Sequence, residues 1–515
     1  MKYLIFCFVI LISILSVAFP YETFIRSINI PFGAIPLAAI ELNDGGFAIG
    51  GYFFYMRIDS MGNVVYSRQF GRFEGEQIFD FCEYNDSAIY GAGRYFSEPS
   101  ILKFDELMDL ELAEKLHFDW SAYNDNIVTS ADNLILVTGT NMIDSSYILK
   151  LNPIRLNIEW VRIIGLSLTH SPYGIWRTKL VATSDSGAFV ANTFSVFYTI
   201  PSILGALALV KFDEFGNIEW TRFYNYTGFL TCYTALPDGN GFILGGSHLE
   251  SDIALLFLDS LGNIKRAYTI GDTSSFMCEM AISMVRDDDS SIVILSAAND
   301  ISPVTGQKDI LVLKVDTLGN VRWAYTIGGP ADEIPVELIK CSSGGFLAVG
   351  ITTTYPYGDS SILVVRLDED GRTSCIQKPY FPMVVDCTDS IDSLPFIVTV
   401  SASSCSTSEF TLTVNSMPFS VINPCSTFIV ENNRPLSEEI KINPNPFNNS
   451  CFIDIPVDAE LVITDICGRS ISNGIKNLGN GKYLWQPEKS MPSGVYIVNV
   501  VTDFEVFRKK VLFLK

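Results

Sequence analysis

The run LVKFDEFGNIEW at residues 209–220 recurs through the chain. Close copies are VLKVDTLGNVRW (312–323), LLFLDSLGNIKR (255–266) and YMRIDSMGNVVY (55–66). Looser copies are ILKFDELMDLEL (101–112), ILKLNPIRLNIEW (148–160) and LVVRLDEDGRTS (363–374). Their anchor positions are Asp59, Asp105, Asn152, Asp213, Asp259, Asp316 and Asp368, at spacings of 46, 47, 61, 46, 57 and 52 residues. A second phrase, such as DGGFAIGGYF (44–53) or SGGFLAVGIT (343–352), precedes every copy, so both occur seven times in register.

LVLKVD and its relatives are short β-branched runs, suited to a strand buried on both faces. Asp-x-x-Gly-Asn then predicts a tight hairpin turn. Its Asp accepts turn amides, and its Gly (Gly62, Gly216, Gly262, Gly319 and Gly371) takes a positive φ that side chains resist. A strand resumes after the Asn, often with an aromatic such as Trp220 or Trp323. One unit thus holds about four strands in roughly 50 residues, the pattern of a propeller blade. The expected fold is all-β: a seven-bladed β-propeller over residues 22–375, then a β-rich connector and a C-terminal Ig-like Greek-key β-sandwich. FIRSINIPFG (24–33) matches the outer strand of a unit but has no unit of its own. It is expected to complete the seventh, closing the circle and removing two open edges. These residues resemble the bacterial extracellular propeller repeats with DGG(Y/F), GG and K-x-D-x-x-G-N motifs. That resemblance implies a fold and no activity.

The 515 residues carry 35 Lys+Arg against 57 Asp+Glu, a net charge of -22, and 48% are apolar. The apolar content excludes a disordered chain, and the acidity argues against a nucleic-acid partner. Three histidines, His117, His170 and His248, sit in different units and leave little material for His-based catalysis or metal binding.

Met1-Lys2, the apolar run YLIFCFVILISIL (3–15) and Ser16-Val17-Ala18 read as a secretory signal peptide, residues 1–18, cleaved after Ala18. Such a run is short for a bilayer core of about 30 Å. No later stretch is long and apolar enough to span one, so no transmembrane segment is expected in the mature chain.

Residues 376–439 change character: Ser, Thr and Pro rise, and Cys387, Cys405 and Cys425 follow Cys375 closely. They are expected to form a cysteine-containing β-rich connector with bridges among these four; a pairing of Cys451 with Cys467 is also considered. Cys82 and Cys232, inside strand patterns, read as buried thiols. From residue 440 onward the charge turns to +2, with nine Lys+Arg and seven Asp+Glu. PNPF and SG mark turns, while FIDI, LVIT and YIVNVV read as strands. Pro444-Asn445-Pro446-Phe447, Asp465-Ile466-Cys467-Gly468-Arg469, Trp485, Ser493-Gly494-Val495-Tyr496 and Arg508-Lys509-Lys510-Val511 together resemble the C-terminal sorting domain of type IX secretion substrates, with Cys467 a departure from the family pattern. The resemblance covers residues 440–515. It implies a small Greek-key sandwich, recognition by the type IX secretion machinery, and export to the bacterial surface or medium. Gly494 is expected to need positive φ, and Phe504–Phe513 to form the last edge strand.

No cofactor, metal centre or catalytic residue is indicated. Gly-x-Ser-x-Gly, a phosphate loop and C-x-x-C are all missing from the sequence. Asp287-Asp288-Asp289 and Asp368-Glu369-Asp370-Gly371 do not fit a calcium loop. Tyr355 and Tyr357 are candidates for stacking on sugars. The function expected is binding of a glycan or protein ligand on a loop face or in the axial channel. The alternatives are a structural envelope component and, less favoured, a propeller-based glycan-active enzyme using paired carboxylates.

Overall fold

The computed structural model describes residues 22–427 and 441–515, apart from short stretches of which 300–307 and 272–278 are the longest. The expected signal peptide, and Cys467, Gly468 and Arg469, lie outside the described residues. The chain divides into two compact units, Met1–Cys425 and Ser426–Lys515.

The first unit is built of seven antiparallel sheets of five strands. Six of them take four strands from one sequence repeat, and the seventh takes three. The first sheet runs Pro36–Glu41, Phe47–Gly51, Phe54–Ile58 and Val64–Phe70, and the sixth ends with Lys308–Asp316 and Val321–Ile327. The second and third strands of a sheet are apolar runs because both faces are covered. Phe47–Gly51 and Ser361–Leu367 are buried at every position. Phe24–Asn29 supplies the fourth strand of the seventh sheet, pairing antiparallel with Ser361–Leu367 in the register Phe24 to Arg366.

The sheets pack in cyclic order. The first strand of each touches the first strand of the next, and Glu333–Lys340 of the seventh touches Pro36–Glu41 of the first. The apolar core follows the same order. Seven buried clusters each draw on two successive sheets. One, holding Phe24, Ile28, Phe47, Ile49, Leu347 and Val364, joins the seventh sheet to the first.

The fifth strands were not foreseen. All come from the connector, which visits the sheets in reverse order. Gln377–Pro379 joins the sixth sheet, then Met383–Asp386 the fifth, Asp392–Ser393 the fourth and Val398–Ala402 the third. Ser406–Glu409 follows on the second, Val414–Ser416 on the first and Ser420–Ile422 on the seventh. Every one pairs antiparallel with the fourth strand of its sheet. Of the bridges expected among the four connector cysteines, Cys375–Cys425 forms, with 5.7 Å between Cα atoms, while Cys405 is a free thiol.

The second unit has two four-stranded antiparallel sheets. One holds Lys441–Asn443, Cys451–Asp454, Lys482–Trp485 and Ile475–Gly479. The other holds Ser470–Ile471, Glu460–Asp465, Gly494–Val501 and the edge strand Val506–Phe513. Cys451, Ile453 and Trp485 of the first meet Ile463, Tyr496, Val498 and Phe513 of the second in one core. Two expectations fail here. Cys451 is a free buried thiol rather than half of a bridge, since its side chain faces this apolar core. Gly494 does not adopt positive φ, and a Cβ there would meet open space, because it already lies in extended strand opposite Phe513.

Candidate functional site

The repeated turn sets the frame. Asp213 Oδ1 accepts the amides of Phe215 (2.9 Å) and Asn217 (2.7 Å), and its Oδ2 accepts Asn217 Nδ2 at 2.9 Å. Asp59, Asp259 and Asp316 repeat all three bonds, and Asp368 accepts the amides of Asp370 and Arg372. Burial pushes the carboxyls of Asp213, Asp259 and Asp316 up. The donated hydrogen bonds outweigh it and hold all three below the usual carboxylate range. Gly62, Gly216, Gly262, Gly319 and Gly371 have φ between +74° and +84°.

Those glycines do more than permit a turn. A Cβ on Gly216 would stand 2.7 Å from Trp160 Cδ2, because the indole of the preceding sheet lies against the turn. Trp220 covers Gly262 in the same way, Tyr268 covers Gly319, Trp323 covers Gly371 and Phe24 covers Gly62. Trp160 Nε1 also donates to Glu214 O at 3.0 Å, and Trp220 Nε1 to Ser260 O at 2.9 Å. In four of the sheets the two phrases of the repeat are tied by ion pairs: Lys150 to Asp132 (2.7 Å), Lys211 to Asp185 (2.9 Å), Arg57 to Asp44 and Lys314 to Asp287. The repeat residues are therefore framework.

The first strands of the sheets carry a polar cluster that sequence reading missed. Asp80 comes from Gln77–Tyr84, Asp125 and Asn126 from Tyr123–Thr129, Arg177 and Lys179 from Tyr173–Ala182, Ser283 from Ser283–Asp288, and Glu337 from Glu333–Lys340. Asp80 Oδ2 accepts Asn126 Nδ2 (3.1 Å) and the Ile127 amide (3.0 Å), bridging two sheets. Ser283 Oγ donates to Glu337 Oε1 at 2.5 Å, bridging two others. The Arg177 guanidinium lies 4.5 Å from the ring centroid of Tyr233 on a further first strand. Burial pushes the carboxyls of Asp80, Asp125 and Glu337 up, the latter two to about 7, against the opposing pull of Lys179 on all three. Asp125 Oδ2 and Asn126 Oδ1 have no hydrogen-bond partner among the described residues. The signal missed is a local irregularity. Strand pairing slips at Ile78/Asp80, at Asn124/Asn126 and at Ile175/Arg177, so charged residues fall where simple alternation would not put them.

Other expected sites fall apart. Tyr355 is buried, so it cannot stack on a sugar from a surface turn, and Tyr357 lies outside the described residues. Cys82 and Cys232, by contrast, are the buried thiols expected, and burial raises their pKa, that of Cys232 to about 12. Among the described residues no group of three or more His, Cys, Asp and Glu is placed to hold a metal ion, and no helix is long and apolar enough to cross a membrane.

In the second unit, Asn445, between Pro444 and Pro446, clamps the last strand. Its Nδ2 donates to Lys510 O at 3.1 Å and its Oδ1 accepts the Leu512 amide at 2.9 Å. Tyr496 OH donates to Pro492 O at 2.7 Å, and its ring meets Trp485 edge-on. Lys509 and Lys510 pair with Val498 and Ile497 on the neighbouring strand.

This second unit marks the chain as an exported protein. Residues 441–513 match the family described as the secretion system C-terminal sorting domain, the tail of type IX secretion substrates. That tail implies interaction with the type IX machinery and export to the cell surface or beyond. No curated protein matches the chain. Among solved structures, Sqt1 from Chaetomium thermophilum is similar over 68% of this chain and 85% of its own, at 12% identity and a TM-score of 0.39. A protein of unknown function from Bacteroides caccae covers 47% of this chain and 93% of its own, at 11% identity and a TM-score of 0.31. Drosophila Plexin A, in complex with Semaphorin 1b, covers 67% and 86%, at 8% identity and a TM-score of 0.25. Likenesses this weak carry no argument.

Proposed function

We propose that the chain is an exported binding protein whose ligand-binding part is a seven-bladed propeller. The propeller spans residues 22–375, the connector 376–439 is laid around it, and an Ig-like sandwich at 440–515 serves as the export signal. The cyclic order of seven sheets and seven shared core clusters supports the propeller. The signal peptide, residues 1–18, delivers the chain to the periplasm first.

The ligand, a glycan or an extracellular protein, is taken at the axial cluster. The observation that carries this reading is the pair of polar bridges between first strands, Asp80 accepting from Asn126 and the Ile127 amide and Ser283 donating to Glu337, with Lys179 drawing on Asp80, Asp125 and Glu337. Carboxyls, an ammonium, a guanidinium, an amide and a hydroxyl in one place supply directional donors and acceptors for sugar hydroxyls or a polar peptide. A glycan array and a panel of extracellular proteins, probed with wild type and Lys179→Met, test it. Binding by wild type that the variant loses is expected. Binding that the variant keeps moves the site elsewhere, and no binding at all favours a structural envelope role.

A glycan-active enzyme is the second reading, favoured by the two carboxyls held near pH 7, where a group can both give and take a proton. Turnover of chromogenic glycosides that Asp125→Asn or Glu337→Gln abolishes would decide for it.

A further inference from the structure

The connector touches every sheet once, and its ends are joined. From the first residue of one fifth strand to that of the next is six to nine residues, enough extended chain for about 20–32 Å per step. The last, Ser420–Ile422, pairs with Phe24–Asn29, which in turn needs Ser361–Leu367 as its own partner. Met417, just before it, is buried in the cluster that joins the seventh sheet to the first. Ser67 Oγ donates to Met417 O at 2.5 Å, and His117 Nε2 meets Ser408 Oγ at 2.5 Å, so side chains of the sheets also grip the connector. Cys375 leaves the seventh sheet just before the connector begins, and Cys425 stands just after it ends, 50 residues later.

We propose that residues 376–424 are a strap that closes last around the ring of sheets, with the Cys375–Cys425 disulfide as its clasp. The inference rests on the ring reading above. A fifth strand has no partner until the fourth strand of its sheet is in place, and the two cysteines meet only after the strap has passed all seven sheets. The clasp therefore forms on a completed ring. Closing it needs an oxidant, an external disulfide. One cysteine thiolate attacks that disulfide and expels the first thiol. The second cysteine thiolate then attacks the mixed disulfide and expels the other, so two Cys thiols and one disulfide become one protein disulfide and two small thiols. Once formed, the clasp lies against the apolar cluster shared by the sixth and seventh sheets, the two that carry the first and last strands of the strap. The sheets themselves need no covalent bond, so opening the clasp frees the strap before the ring.

Hydrogen exchange on the folded full-length chain, oxidised against reduced with a phosphine and alkylated, reads this directly. Exchange at Gln377–Pro379 and Ser420–Ile422 is expected to quicken at least tenfold on reduction, and Phe24–Asn29 to follow. The second and third strands of the sheets should not change. The Cys375→Ser/Cys425→Ser variant should repeat the pattern, and reduction of folded wild type gives the answer even where that variant fails to fold. In refolding from urea with oxidised glutathione, the disulfide should appear only after the sheets are protected. A disulfide formed ahead of the sheets, or exchange at the strap ends that ignores reduction, would overturn the proposal. Imaging the same samples by electron microscopy separates the two readings: a seven-fold ring with an indifferent strap defeats the strap alone, whereas particles without a ring defeat the ring reading beneath it.

Discussion

The indole of Trp160 lies on Gly216, one residue from the fourth strand of a sheet and the other from the turn of the next, and leaves no room for a Cβ between them. The same contact passes from Trp220 to Gly262, from Tyr268 to Gly319 and from Trp323 to Gly371, and Phe24 closes it onto Gly62. The glycine is thus fixed twice, by φ and by a neighbour. Where the turn lacks glycine the contact changes form. Met108 and Leu156 hold positive φ with buried side chains, and Tyr66 OH reaches over to Leu107 O at 2.5 Å.

Gly216→Ala should therefore cost more than its backbone strain. A side chain at positive φ costs about 1–2 kcal/mol, and overpacking the indole adds about 1–3 kcal/mol. Gly239 has φ +58° but nothing within 4 Å of a Cβ, so Gly239→Ala reports the strain alone. Urea unfolding of both variants should show Gly216→Ala as the more destabilised. Equal losses would mean that the indole gives way freely. Trp160→Ala combined with Gly216→Ala should recover part of the cost.

Asp213→Ala removes the acceptor of two backbone amides and one side-chain amide, and should cost about 1–2 kcal/mol at pH 7. The folded pKa of this Asp lies below its unfolded value. Its contribution is present above pH 4 and is lost as pH falls through the folded value. Wild type and Asp213→Ala should accordingly converge in stability as pH falls progressively below 4, as read by chemical denaturation at each pH. A constant gap down to pH 2 would show that the turn works through shape and not through the ionised carboxylate.

The turns and the two phrases were legible because each answers a local demand: an Asp to cap amides, a Gly for φ, a Lys to reach the Asp of the companion phrase. The orphan strand FIRSIN was legible because it copies a phrase whose partner is missing at the other end of the repeats. The strap was not. Its fifth strands are two to five residues long and obey no repeat, since each needs only a few free backbone groups on the edge it covers. The polar cluster of the first strands was not legible either. Asp80, Asp125, Lys179 and Glu337 come from strands far apart in sequence, and irregular pairing beside them breaks the simple alternation of faces. Gly494 shows the reverse error, a glycine read as a sharp turn that lies in plain strand.

Asn445→Ala should loosen the end of the sorting domain. Its side chain makes two hydrogen bonds to the final strand, next to Phe447, whose amide donates to Leu512 O at 3.0 Å. Hydrogen exchange in the full chain should quicken at Val506–Phe513 and leave Phe47–Gly51 unchanged. In a host with type IX machinery, export of the variant should fall, as should that of a chain lacking residues 504–515. Full export of both would separate the fold of this strand from recognition.

The buried carboxyls of the first strands make a pH dependence of opposite sign to that of Asp213. Asp125 and Glu337 sit at about 7 in the folded chain, because burial disfavours their charge more than Lys179 restores it. A carboxyl raised in this way holds its proton more tightly folded than unfolded, so its contribution is complete below the unfolded value near 4 and declines as pH rises to about 7. The contribution of the turn aspartates is constant above pH 4 and changes only below it, so the two windows do not overlap. Thermal unfolding of wild type between pH 4.5 and 8.5 should therefore show a midpoint that falls with pH. Asp125→Asn and Glu337→Gln cannot ionise, so each should flatten that fall and unfold at a higher temperature than wild type at pH 8. Ligand binding at the cluster should change with pH over the same interval, since both carboxyls change from donor to acceptor across it. Variants that keep the wild-type slope, or that are less stable than wild type at pH 8, would show that these carboxyls are charged and serve the ring as ion-pair partners of Lys179.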